Sequence, residues 1–332
     1  MPMNVGALGP SQVQVVPSPG VEGDFCTANP RYSAIAGPGG LVAGPGGVVA
    51  GRFCWALPGS FDVDSGPQVV SNTFQGSATG SLSVLGLIHR EMQGILLSPL
   101  TPSSLVIQQG FPVTALNECE MWVKNTGLTQ VSVGQKAYAN LLNGAATFAA
   151  TGAPTTAASA TTSSIAAATS AFTGSIGGTD GNLLTVTAVS SGTIYPGTTI
   201  SGGSIAAGTK VTQQLSGTAG GVGTYLVSIP EQSIASLSIA GTYGVLTVGT
   251  LTTTLPFAVG YLLNTTGSVV AGTFIWQLLT GNGGTGSTLV VDNNTVVASQ
   301  TISAVGNVET TWSARSGGAA NELVKVSNAQ LG

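Results

Sequence analysis

From Gly51 onward the apolar positions come in short runs broken by Gly, Pro and Asn. Gly51 to Leu57, Gln68 to Phe74, Leu82 to His89 and Gln93 to Leu97 read as strands. Leu105 to Gln109, Phe111 to Leu116, Met121 to Asn125 and Lys136 to Asn140 continue the series. A spacing of about 8–12 residues with turn residues between is the signature of a sandwich or barrel. No window carries a long helical period. Asn143-Gly144 is a type I′ hairpin signal joining Ala137-Tyr-Ala-Asn-Leu to Ala146-Thr-Phe-Ala. Before these runs, Ala36-Gly-Pro-Gly-Gly-Leu-Val recurs seven residues on as Ala43-Gly-Pro-Gly-Gly-Val-Val, a pair of Pro-Gly turns that suit type II geometry. No GK[ST] follows, so a phosphate loop is not indicated.

The later half has a different texture. Residues 151–173 are Ala, Thr, Ser, Gly and Pro, which reads as a linker or as a weak strand with little core to bury. Beyond it the chain repeats itself. Leu184-Thr-Val-Thr matches Leu246-Thr-Val-Gly, Ala206-Ala-Gly-Thr matches Val270-Ala-Gly-Thr, and Ile234-Ala-Ser matches Val297-Ala-Ser, at offsets of 62 to 64 residues. Each copy reads as four or five short Thr/Val/Ile/Leu strands with Gly-rich turns. The expected fold is all-β: a β-barrel or jelly-roll-like anchoring domain, an inserted duplicated β-sandwich-like module and an extended amino-terminal arm. The expected boundaries are 1–24 for the arm, 25–150 plus 307–332 for the anchoring domain, 151–173 for the linker and 174–306 for the module. Its copies run over about 174–243 and 244–306.

Composition narrows function. Of 332 residues only 8 are Lys or Arg and 12 Asp or Glu, or 6%, against roughly 25% in an ordinary globular chain. Net charge is −4, so no basic stripe is present for nucleic acid. No apolar stretch reaches the roughly 20 residues of a membrane helix, and the start has no signal-peptide pattern. Cys26, Cys54 and Cys119 are odd in number and far apart, which suits free thiols in a reducing cytoplasm rather than a disulfide framework or a zinc site. Sixteen charges fall in the 170 flanking residues and four in residues 145–306.

Chemistry has few candidates. His89, the sole histidine, stands in His89-Arg90-Glu91, where strand alternation places His89 and Glu91 on one face. That pair reads as a general base with its orienting carboxylate, or as a structural or interface ion pair. Glu118 and Glu120 flank Cys119 on one strand face, as paired carboxylates or as a solvated edge. Asp62 and Asp64 share a Gly/Pro-rich loop that lacks the full calcium-loop pattern. Trp55, Trp122, Trp276 and Trp312 read as core or subunit-interface anchors.

Several segments together resemble the head cement, or capsid decoration, proteins of tailed bacteriophages. They are VEGDFCTANPRYSAIAGPGGLVAGPGGVVAGRFCW (21–55), GLIHREMQGIL (86–96), QQGFPVTAL (108–116), MWVKN (121–125), VGQKAYAN (133–140) and ETTWSARSGGAANELVKVS (309–327). The resemblance implies a non-enzymatic structural protein on the outer capsid surface of the virion, made in the host bacterial cytoplasm, that clamps neighbouring major capsid protein subunits. It implies homo-oligomers, trimers first and dimers second, with no cofactor, no metal, no nucleic acid and no membrane. Candidate capsid or subunit interface residues are Glu22, Asp24, Phe25, Arg31, Arg52, His89, Arg90, Glu91, Trp122, Trp312 and Arg315. The duplicated module, 174–306, would project and offer weak contact to host-surface glycans. The alternatives are a head-fibre or tail component or adhesin that binds such glycans, and a carbohydrate-active enzyme using Glu118, Glu120, Asp62 or Asp64.

Overall fold

The computed structural model describes residues 20–37, 39–44, 47–57, 68–74, 82–91, 105–153, 155–178, 181–229, 231–264 and 267–328. The strand expected over Gln93 to Leu97, the aspartates 62 and 64, and residues 1–19 of the expected arm lie outside them. The described residues contain strands and no helix, with a sheet curled into a half-barrel.

A six-stranded sheet holds β1 (Tyr32–Ser33), β2 (Leu41–Ala43), β4 (Phe53–Ala56), β5 (Gln68–Ser71), β6 (Gly86–Ile88) and β8 (Ala115–Glu118) in the order β1-β8-β6-β4-β5-β2. The ribbon β3 (Val48–Val49) and β7 (Val106–Ile107) lies beside it. A five-stranded sheet contains β9 (Glu120–Lys124), β10 (Lys136–Asn140) and β11 (Ala146–Ala149) with two strands from the end of the chain, β23 (Asn307–Ala314) and β24 (Leu323–Ser327). Its order is β11-β10-β23-β24-β9.

Phe53, Leu87 and Leu116 of the first sheet meet Met121, Val123, Trp312, Val324 and Val326 of the second in one buried core. Their sequence neighbours Cys54, Ile88 and Ala115 face the opposite way, into a second core with Val48 and Ile107. The six-stranded sheet is therefore covered on both faces, which is why its strands read as continuous apolar runs rather than as alternations. The Asn143-Gly144 hairpin joins β10 to β11, but through a four-residue loop. Only Gly144 takes positive φ there, and its N–H donates to the Asn140 carbonyl at 2.8 Å, so the turn is not type I′.

The remaining strands form one continuous eleven-stranded sheet. They are β12 (Thr156–Gly177), β13 (Leu183–Ser191), β14 (Thr199–Ser201), β15 (Val211–Gly217), β16 (Gly223–Val227), β17 (Ile234–Thr247), β18 (Thr250–Leu251), β19 (Leu262–Leu263), β20 (Ile275–Thr280), β21 (Thr288–Val291) and β22 (Val297–Val305). Two cores sit along it, built by equivalent residues. Leu184, Ile194, Ile200, Val211, Tyr225 and Ile239 in the first copy correspond to Leu246, Phe257, Leu263, Ile275, Leu289 and Ile302 in the second, all buried. The repeat extends to single hydrogen bonds. Ile194 N–H on Gly220 O (2.9 Å) matches Phe257 N–H on Gly283 O (2.9 Å), and the Ser216–Thr224 hydroxyl pair (2.7 Å) matches Thr280–Thr288 (2.8 Å).

Residues 151–173, read from composition as a linker or a weak strand, supply most of the 22-residue central strand β12 (Thr156–Gly177). Small residues suit this position because the strand is held by ladders on both sides and packs close to its neighbours, so little side-chain bulk is needed. Its length follows from serving both copies. Ile176 stands opposite Leu184 and Ile234, and Ile165 stands opposite the equivalent pair Leu246 and Val297. A register irregularity near Thr162, whose φ is 56°, separates the β18 pairing from the β17 pairing. Gly249, where the first copy has Thr187, lies against that kink, and a Cβ there would fall 1.9 Å from the Thr161 carbonyl oxygen.

The outer strands β15 and β20 carry no charge. Each is kinked by two register shifts against its neighbour, a way of blunting an exposed edge without lysine or proline.

One ion pair ties the copies together. Lys210 Nζ lies 2.7 Å from Asp292 Oδ2, and the Asp292 side chain is only 2% exposed. In the first copy the Lys210 N–H donates to Ser228 Oγ (2.9 Å), and in the second the equivalent Phe274 N–H donates to Asp292 Oδ1 (2.8 Å). Asp292 thus serves its own copy with one oxygen and the other copy with the second. Asp292→Ala should cost about 2–4 kcal/mol, because it orphans a buried N–H and a partly buried ammonium. Asp292→Asn, which keeps the acceptor, should cost less than half as much by chemical denaturation. Equal losses would contradict the backbone-acceptor role.

Candidate functional site

Residues 20–31 lie as a strap along the free edge of β9. Gly23 N–H donates to Trp122 O (2.8 Å), Trp122 N–H to Asp24 O (2.9 Å) and Cys26 N–H to Glu120 O (3.1 Å). The strap enters through a tight turn in which Asp24 N–H reaches Val21 O (3.1 Å). Glycine is required on both sides of that turn. Gly23 and Gly51 have φ of 84° and 76°, and a Cβ on Gly51 would lie 2.4 Å from the Glu22 side chain. Gly20 likewise rests on the Trp122 ring, where a Cβ would approach to 2.5 Å.

This close seating gathers ionisable groups. Arg90 pairs with Asp24 (Nη1 to Oδ2, 3.5 Å), and its N–H donates to Gly23 O (3.0 Å). The Phe25 ring is held between the His89 imidazole, centroids 4.4 Å apart and 21° from parallel, and the Arg31 guanidinium, 3.7 Å from the ring centre. Burial pushes the Glu22 carboxyl up, against the pull of Arg52 and Lys124. Burial also lowers the His89 imidazole, opposed by Glu91 and Asp24 and reinforced by Arg31. Asn29 Nδ2 donates to Glu120 Oε2 (3.0 Å), and Lys325 sits over the Trp122 ring at 5.1 Å.

The structure thus brings Glu22, Asp24, Phe25, Arg31, Arg52, His89, Arg90, Glu91 and Trp122 around one strap. Two of the candidate residues lie elsewhere. Trp312 is 1% exposed in the core, edge-on to Phe53 at 6.3 Å, so it is a packing residue and not a surface anchor. Arg315 lies in a groove with Tyr32 and Glu118. Strand β6 ends at Ile88, so His89, Arg90 and Glu91 do not alternate along a strand as expected. Glu118 and Glu120 do not share a strand face either. The chain changes sheets at Cys119, so Glu118 pairs with Tyr32 in one sheet and Glu120 with Ser327 in the other. Asn29, Lys124 and Lys325 were not legible as partners, because the register that places Lys325 opposite Trp122 is set by the returning tail.

Among the described residues no three His, Cys, Asp or Glu side chains come together to hold a metal, and no helix is long and apolar enough to cross a membrane. The charges and rings around the half-exposed strap are arranged as internal pairs and stacks. Residues 11–188, more than half of the chain, match the family model of the XM1 gp53 minor capsid protein. The chain belongs to that family and is a capsid-associated structural protein of a bacteriophage virion. The matched span contains the strap and both sheets it touches, except β23 and β24. Nothing matches among curated proteins or among solved structures.

The His89 stack has a pH consequence. A histidine with a lowered folded pKa contributes stability that is present above its unfolded value, 6.5, and is lost as pH falls below it, because the unfolded chain then takes up a proton the folded chain resists. The melting temperature of the native protein should therefore fall relative to His89→Gln between pH 7 and pH 5. Parallel curves would mean that His89 is not held neutral against Phe25.

Proposed function

We propose that this protein binds the outside of the phage capsid and cements neighbouring major capsid protein subunits, stabilising the filled head. The observation that carries the reading is the gathering of Glu22, Asp24, Arg31, Arg52, Arg90, Glu91, Glu120 and Lys124, eight of the chain's twenty charges, around an exposed strap within the family-matched span. A clamp needs directional contacts and no proton chemistry, and the groups found here are arranged as pairs, stacks and backbone bonds.

In this reading residues 25–150 and 307–332 anchor the protein, and residues 174–306 project from the shell. The near absence of charge in the projecting part supports contacts insensitive to salt, since screening acts on charges. Residues 1–19 are uncharged and punctuated by Gly and Pro, and in this reading they contribute to capsid binding. Filling symmetry positions on the shell would favour trimers, then dimers.

Particles assembled without the protein provide the test. Adding the purified chain should saturate at hundreds of copies per particle and raise the temperature at which the packaged genome is released. Binding confined to a few copies at the tail would overturn the cementing role and favour a tail or fibre component. A chain lacking residues 1–19 should keep its melting temperature but bind particles more weakly. Failure of that chain to fold would place the segment in the core instead.

A further inference from the structure

All eight Lys and Arg residues are among the described residues, and seven have an internal partner. Arg90 and Lys210 pair with carboxylates, Arg31 and Lys325 lie over rings, Arg52 and Lys136 donate to carbonyls, and Lys124 acts on Glu22. Among the described residues the Arg315 guanidinium has no hydrogen bond, ion pair or ring contact. It is exposed, and it opens into a groove of about 1240 Å³.

The groove is polar and has a regular floor. Lys136 stands opposite Ser313, and Ser313 opposite Ser327, in one row across β10, β23 and β24. Ser313 is partly exposed in this row, while Ser327 is buried. One wall is β1, the first strand in the order of the six-stranded sheet, which among the described strands pairs with β8 alone and has both its residues exposed. Tyr32 on this wall is 59% exposed and Ile35 at the rim 91%. The groove thus combines an edge strand, two exposed apolar side chains and a guanidinium without a partner among the described residues.

We propose that this groove takes an extended segment of a capsid-shell subunit, added as a strand beside β1, with an aspartate or glutamate of that segment paired to Arg315. Strand addition supplies main-chain hydrogen bonds at an open edge, while side-chain sites set specificity. The planar guanidinium selects a carboxylate through two parallel hydrogen bonds. Lys136 is already engaged with the Thr311 carbonyl, and Glu118 in the same groove disfavours a second acid near it. One acidic residue per segment is therefore the expected complement. The inference rests on the capsid-binding reading and names the partner chemistry at a groove that begins where the strap ends.

The test uses the full-length chain and capsid shells assembled without it. Arg315→Glu should bind shells at least about tenfold more weakly than the native chain, and Arg315→Lys should lie between them. Melting temperatures should be unchanged in both variants, since the side chain has no partner among the described residues. A photo-crosslinking phenylalanine analogue at Tyr32 should attach to one shell-subunit peptide that contains an acidic residue. Native-strength binding by Arg315→Glu would overturn the inference and leave the capsid-binding reading standing. Crosslinks found only on a second copy of this chain, or only on carbohydrate, would overturn it in the same way. If the native chain does not bind shells at all, both readings fail together.

Discussion

Twelve residue pairs register β12 against β17, while β13 and β22 share its other side, one along each end. This double ladder is the constraint on which the duplicated half depends. Two copies of one motif would ordinarily fold as separate small units, each with a marginal core. Here both take their central strand from the same 22 residues, so neither core closes without β12. Ile165 and Ile176 do the same work eleven residues apart, for copies whose other residues are 62 to 64 apart. The backbone supplies most of the specificity, and Lys210–Asp292 adds one charged stitch where the copies differ.

The same strand explains what could and could not be read from the residues. The short runs around Phe53, Leu87 and Val123 were legible because bulky apolar residues between turn formers mark buried strands wherever they occur. The duplication was legible because its core positions are kept in order. β12 was legible only as one of two readings, linker or weak strand, because a strand paired on both sides can be made of Ala, Ser and Thr, a composition that suits a linker equally well. The sheet change at Cys119 was hidden. It turned an apparent pair of carboxylates into residues of two different sheets. For Trp312 the residues left core and subunit interface open; the tail is a strand pair inside the five-stranded sheet, and the ring lies in the core.

The candidate site was legible residue by residue but not as an arrangement. The resemblance to phage head proteins singled out residues near 22–31 and 89–91 one by one. What gathers these residues is the strap, and the strap depends on Gly23 and Gly51 meeting without side chains between them. Sequence carries no sign that these two glycines face each other. Their contact lets Asp24 reach Arg90 and lets Phe25 slide between His89 and Arg31. Charges that are scarce overall become concentrated, by backbone geometry, on one surface of a protein whose family places it on a phage capsid.

A cryo-electron microscopy map of the virion that resolves this chain tests the central claim most directly. The account predicts the six- and five-stranded sheets against the shell, with the strap of residues 20–31 and the Arg315 groove both at the contact and residues 174–306 pointing away from it. A map with residues 174–306 seated on the shell and the strap facing outward, or with the chain confined to the tail, would contradict it.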